Sequence, residues 1–295
     1  MSRFAKINLS ELPAPDVIET LDYDVVLNDA ITRLVELMPE VEEALALESE
    51  PLRKLLELLS YVVLLLRARI NDAARGAMLA TATGADLENL AALFGTSRLL
   101  IAEATEDAAA IYEDDDALRA RTQLAPEAYT TAGSVGAYEY HARSASPLVR
   151  DVSVTSPQPG SVLVTILSTD EAGMPTDALL ETVHGALNAE EVRPLCDDVI
   201  VSAPMIVTYA VAATLEIASG PDRDLVLARA RRKLTAYLDS VHMLGGTVAV
   251  SGIMAALHQA GVTRVVLTSP IADIETDVTA APLCSGSTIS ATEAA

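Results

Sequence analysis

Asp151-Val152-Ser153-Val154-Thr155-Ser156-Pro157-Gln158-Pro159-Gly160-Ser161-Val162-Leu163-Val164-Thr165-Ile166 is where the chain changes period. Val152 and Val154 alternate with Ser153 and Thr155, and Val162, Val164 and Ile166 alternate again beyond Gly160. A repeat of two lines one face of a strand. The stretch therefore predicts a hairpin whose loop, Ser156 to Gly160, is long and stiffened by proline. Upstream the apolar residues recur at helical spacing, and downstream short strands and helices interleave. The fold class expected is α+β, a helical N-terminal half followed by two small helix-on-sheet units.

Working upstream, Tyr23, Val26, Leu27, Ala30, Ile31, Leu34 and Leu37 keep helical spacing until Pro39 stops them. Pro51 suits a first helical turn, where its missing N–H costs nothing. From Leu52 to about Met78 the next helix is apolar nearly all round in its first half. Such a helix needs cover on several sides. Gly84 breaks it, and Leu87, Leu90, Ala91 and Phe94 predict a short helix ended by Gly95. Glu113-Asp114-Asp115-Asp116 reads either as ligands for a hard cation or as a solvated start to a helix over 117–123, where acids favour the positive helix end. Without EF-hand spacing the second reading is preferred. Gly133-Ser134-Val135-Gly136 lacks basic flanks, so Ser134 is expected to cap a helix rather than serve a nucleic-acid clamp.

Working downstream, Thr176 is expected to cap a helix through Leu187, and 199–201 reads as a short strand. Val207, Tyr209, Val211, Ala213, Leu215 and Ile217 make the clearest strand, broken by Ser219-Gly220-Pro221. A helix with Val226, Ala230, Leu234, Tyr237, Leu238 and Val241 inward should end near Gly245-Gly246. A strand over 248–250, a helix capped by Ser251 and stopped by Gly261, and a strand over 262–267 follow. The expected domains are 1–83, 84–150, 151–217 and 218–295.

Lys+Arg 20 against Asp+Glu 42 gives a formal charge of -22. The first 150 residues hold 25 acids and 13 bases, the remainder 17 and 7. No half offers the clustered cations that displace counterions from phosphates, so neither nucleic acid nor an anionic membrane surface is an expected partner. The two cysteines, Cys196 and Cys284, make no disulfide framework or CxxC site. The first six residues are followed by no apolar segment, so no signal peptide is expected. His141, His184, His242 and His258 show no i, i+4 metal pair, and neither a GxSxG elbow nor a Walker loop occurs. No catalytic, cofactor-binding or metal residue is therefore assigned, and no cofactor is expected.

Longer stretches are more specific than any of these motifs. Leu47 to Leu52, Lys54 to Glu57, Ile70 to Arg75, Met78 to Ala80 and Gly84 to Leu87 resemble the baseplate assembly protein J family of contractile-tailed bacteriophages. So do Gly133 to Tyr138, Arg143 to Ala145, Val152 to Pro157, Val192 to Pro194, Ala255 to His258 and Pro270 to Ile274. The resemblance is collinear and spans nearly the whole chain. Tyr61-Val62-Val63 departs from it, since relatives commonly carry Tyr-Arg-Glu there.

The resemblance implies a structural, non-enzymatic wedge subunit of the tail baseplate in the virion, assembled in the host cytoplasm. Such a subunit forms a homodimer and joins a protein I-type tail protein through a helical bundle. It also contacts other wedge and sheath-proximal subunits, and links neighbouring wedges into a sixfold ring around the tail hub. The equivalent subunit of a tailocin or contractile injection system fits the same residues. A hydrolase on the α+β half is more remote, lacking a convergent nucleophile, base and oxyanion donors. Leu55, Leu56, Leu59, Val62, Val63, Leu65 and Leu66 are the expected interface, because they exceed what one buried helix face requires.

Overall fold

The computed structural model describes residues 7–105, 108–130, 133–170, 172–220 and 222–293. The first six residues and Pro221, on which the signal-peptide and strand-break readings partly rest, lie outside them. Two compact units emerge: residues up to 97 with Asp114–Arg119, and residues 98–113 with those from 120 onward.

The first unit is helical. Asp22 accepts hydrogen bonds from the Asp24 and Val25 amides and so caps α1, Tyr23–Leu37. The short α2, Glu42–Leu45, follows a turn at Pro39. Pro51 then opens the 26-residue α3, Pro51–Gly76, and α4, Gly84–Ala92, comes after it. Leu27, Leu45 and Leu56 form one buried cluster. Leu87 and Ala91 form another with Ala82 and Leu118.

In the second unit β1, Leu100–Ala102, pairs antiparallel with β2, Ile111–Tyr112. Neither strand follows from the sequence, which shows no alternation there. Next come α5, Asp115–Leu124, whose first residues belong to the helical unit, and α6, Val135–Ala145, capped by Ser134 as anticipated. The hairpin strands are β3, Val149–Gln158, and β4, Ser161–Ser168. Pairing continues to Gln158 opposite Ser161, so the loop is only Pro159-Gly160, shorter than expected. Gly160 takes φ +81°, which L side chains disfavour. After α7, Asp177–Leu187, capped by Thr176, β5, Asp198–Ser202, joins parallel to β4. Helices α6 and α7 pack Tyr138, Ala142, Leu179, Val183 and Leu187 onto Val152, Val164 and Ile166 of this sheet.

The second sheet is centred on β6, Met205–Ile217, with Tyr209, Val211, Ala213, Leu215 and Ile217 inward. Its order is β10-β6-β8. The expected boundary at 217/218 would sever β6 from this sheet; the change of sheet falls between Ser202 and Met205. Similarly, α6 packs on the first sheet, whereas a separate 84–150 segment would hold it apart. Across β6 lie α8, Arg223–Val241, then β7, Thr247–Val248, and α9, Val250–Leu257. β8, Val262–Ser269, runs antiparallel to β6, while β9, Ile274–Glu275, pairs with β7. β10, Ala280–Glu293, runs parallel to β6 and completes the sheet.

Details of three elements differ from expectation, and α9 also starts at Val250, expected in the strand before it, and ends at Leu257, short of Gly261. α8 ends at Val241, before the glycines; Gly245 has φ +70° and turns the chain after it. The cap of α9 is Ala249, not Ser251, and the Asp273 carboxylate accepts the Val250 amide at 2.7 Å. β10 has no counterpart in the sequence reading, because its Ser, Gly, Thr and Ala residues show no apolar alternation.

Candidate functional site

One side of α3 is left as an uncovered apolar surface. Its inner side faces α1. Leu56 is 8% exposed, and Ser60 and Asn71 are buried on the same side. Asn71 anchors the lead-in segment by accepting from the Glu19 amide at 3.1 Å and donating to the Glu19 carbonyl at 2.8 Å. Tyr23 donates from its hydroxyl to the Glu57 carbonyl at 3.4 Å, and Arg53 donates to the Leu45 carbonyl at 2.8 Å. The Glu57 carboxylate accepts from Lys54 Nζ at 2.8 Å and from Arg53 Nε at 3.4 Å. The Lys54 hydrogen bond is the main cause of its pKa falling below the ordinary value. These contacts fix the rotation of α3 about its own axis.

With that rotation set, Leu55, Leu58, Leu59, Val62, Leu65, Leu66 and Ile70 point outward, between 44% and 61% exposed. They recur at i, i+3, i+4 and i+7, and so lie along one stripe of a helix. From Leu55 to Ile70 the stripe is about 22 Å long at 1.5 Å per residue. Contiguous apolar surface of this kind on a folded chain is a common feature of interaction sites.

Of the seven expected interface residues, Leu55, Leu59, Val62, Leu65 and Leu66 are on this stripe. Val63 is half-buried at its edge. Leu56 is the exception: it is enclosed with Leu27 and Leu45, and no second chain can reach it without opening that cluster. Leu58 and Ile70 belong to the stripe but not to the expected set. The signal for both is ordinary helical spacing: Leu58 follows Leu55 by three, and Ile70 follows Leu66 by four.

The acidic run is divided among structural tasks. Asp114 accepts from the Ala117 amide at 2.8 Å and Asp115 from the Gly84 amide at 3.1 Å, while Asp116 pairs with Arg119. These fit the helix-start reading. Glu113 does not: it is buried and paired with the equally buried Arg121.

The polar side chains considered for chemistry are dispersed. His141 stacks edge-on against Tyr140, its centroid 5.4 Å away, and burial lowers its pKa below the ordinary 6.5. His242 Nδ1 lies 2.7 Å from the Pro282 carbonyl, and Cys284 Sγ lies 3.3 Å from that of Gly286. Among the described residues no three His, Cys, Asp or Glu side chains converge as a metal site would need. Among the same residues no helix is long and apolar enough to cross a membrane.

Comparison with known proteins accounts for nearly the whole chain. Residues 48–105 match the Baseplate J-like N-terminal domain, 130–203 the Baseplate J-like central domain, and 209–290 the Baseplate J-like protein C-terminal domain. The gap between the last two segments contains Met205, where the second sheet begins. Baseplate protein J of Escherichia phage P2 is 45% identical over 287 residues, spanning 94% of this chain and 95% of that protein.

Proposed function

Because the chain belongs to the baseplate J-like family, we propose that it is a wedge subunit of a contractile phage tail baseplate that assembles through the outer stripe of α3. It is a structural protein of the tail baseplate, and its place is the virion. In this reading it catalyses no reaction. It dimerises, meets a protein I-type tail protein and other wedge and sheath-proximal subunits, and helps close the sixfold ring around the hub. Assembly of these parts takes place in the host cytoplasm.

The single observation that supports the finer reading is the stripe itself. A helix enclosed only by its own chain needs one apolar face, and α3 carries two. Burying the second face against another helix removes apolar area from water, at about 25 cal/mol per Å².

Leu59→Glu and Leu65→Glu test this, with Leu56→Ala as the contrast. Both glutamates replace exposed side chains, so far-UV circular dichroism and unfolding free energy should stay within about 0.5 kcal/mol of wild type. Light scattering should show the dimer lost, and the protein should no longer enter baseplates. Leu56→Ala should instead cost about 2–5 kcal/mol of stability, since it hollows the chain's own core. A Leu65→Glu protein that dimerises and enters particles normally would remove this face of α3 from the assembly.

A further inference from the structure

The C-terminal half of this acidic chain concentrates its few cations on one helix. Of the seven Lys and Arg residues beyond position 150, five lie in α8: Arg223, Arg229, Arg231, Arg232 and Lys233. Two of these are occupied at home. Arg223 donates to the Ala291 carbonyl and Arg231 to the Ile289 carbonyl, both on β10. Arg229, Arg232 and Lys233 are exposed and, among the described residues, meet no carboxylate. They sit at i, i+3 and i+4, on one outer face with Leu225, which is 60% exposed. Like charges at that spacing destabilise a helix. The free subunit carries this repulsion unrelieved.

The complementary surface is on the same polypeptide. Between Arg33 and Arg53 there is no Lys or Arg, but there are six glutamates: Glu36, Glu40, Glu42, Glu43, Glu48 and Glu50. The other dense acidic run, Glu113 to Asp116, is consumed by Arg121, Arg119 and two backbone amides. Residues 36–50 have no such partners among the described residues, and five of the six glutamates are exposed. Glu36 and Glu42 border an open cleft of about 610 Å³ that is also lined by Ile31, Val35, Pro39 and Arg53, whose guanidinium is engaged by the Leu45 carbonyl and Glu57 rather than by these two glutamates. A guanidinium with an apolar stem suits a cleft of that lining: the stem covers the aliphatic floor and the head reaches the carboxylates.

We propose that the outer face of α8, through Arg229, Arg232 and Lys233, docks onto the 36–50 carboxylate ridge of a second copy of this chain. The proposal rests on the reading of the chain as a self-assembling baseplate subunit, and adds to it a second, electrostatic contact. The contact joins two different surfaces, so it is head-to-tail. Interfaces of that type close into rings when the rotation per copy allows. Nucleic acid is a poorer occupant, because three cations neutralise too few phosphates to offset a chain at -22.

The test uses two charge-reversed full-length proteins, R229E/R232E/K233E and E40K/E42K/E43K, each checked for a wild-type circular dichroism spectrum. Exposed ion pairs are individually weak, and three reversed together should weaken self-association about ten- to hundredfold at low salt, read by sedimentation velocity. Mixing the two variants in equal amounts should restore association, because each then offers the other an opposite charge. Substituting R229Q/R232Q/K233Q, which keeps good helix formers, should give an intermediate loss. Failure of the mixture to recover, or wild-type association by either reversed protein, would overturn the proposal. An α8 variant that associates normally yet fails to enter particles would also overturn it, and assign the face to a different acidic partner. Leu65→Glu acts on the other contact, so a failure of the baseplate reading is read separately.

Discussion

Glu113 shows how one residue's role depends on what stands beyond its neighbours in sequence. Its backbone carbonyl accepts from Arg98 Nη1 at 2.7 Å, and its Oε1 accepts from the Leu99 amide at 3.0 Å. Arg121 Nε reaches Oε2 at 3.2 Å, and Arg121 Nη1 reaches Ser144 Oγ at 3.4 Å. The carboxylate thus ties the β1–β2 segment to α5, and Arg121 ties α5 to α6. Both charges are out of water, so removing one leaves the other uncompensated. Glu113→Gln should cost about 3–5 kcal/mol in denaturant unfolding, whereas Glu113→Leu with Arg121→Met should cost much less. A Glu113→Gln protein as stable as wild type would show that the pair carries no such penalty. In sequence the residue is the first of four consecutive acids, and nothing local separates it from the three that meet solvent.

At the scale of elements, the end of α8 is clamped to the first sheet. Arg150 on β3 donates to the His242 carbonyl at 3.1 Å, the Asp239 carbonyl at 2.8 Å and the Asp239 carboxylate at 2.7 Å. Asp151 accepts from the Leu244 amide at 2.9 Å and from Arg143. These bonds tie β3 of the first sheet to the end of α8 and the turn that follows it. Arg150→Ala should lower hydrogen-exchange protection over residues 239–244 while leaving β6 protected, because local opening reports local contacts. Unchanged exchange over 239–244 would mean that apolar packing alone holds this join. Gly252 marks a second constraint on these elements. A Cβ there would lie 2.3 Å from the Tyr237 hydroxyl, which bridges the Ala249 amide and carbonyl at 3.1 and 3.2 Å. The helix pair α8–α9 is legible from its apolar spacing, but this close approach is not.

For the whole molecule, the two proposed contacts respond to salt in opposite directions. Copies at -22 repel one another, and salt shortens that repulsion to a Debye length of about 8 Å at physiological strength. The apolar α3 contact should therefore tighten as salt rises from low to moderate. The α8 contact should loosen over the same range, since its attraction is screened. Larger assemblies should thus fall back to the dimer as salt increases, with the dimer itself persisting in light scattering. Dissolution of all oligomers to monomer by moderate salt would show that ion pairs dominate and that the α3 stripe contributes little.

Local periodicity and capping make a large part of this fold legible before any packing is known. The long helices, the hairpin, β6 with its inward face, and the Ser134 and Thr176 caps follow from side chains that repeat at 3.6 or 2 residues or bond within a turn. The α+β class rests on the same local order, while the family resemblance rests on particular residue runs such as Gly84 to Leu87 and Gly133 to Tyr138. Only the tertiary packing sets which side of α3 stays exposed: Leu56 and Leu59 are both leucines on one helix, and it is the approach of Leu27 and Leu45 that makes the first a core residue. It also decided β10, a run of small polar residues that becomes a strand because the edge of β6 supplies its hydrogen bonds. And it decided the change of sheet at Met205, since a strand's sheet is set by its pairing partners, and the partner of Met205 is as distant in sequence as Ala280.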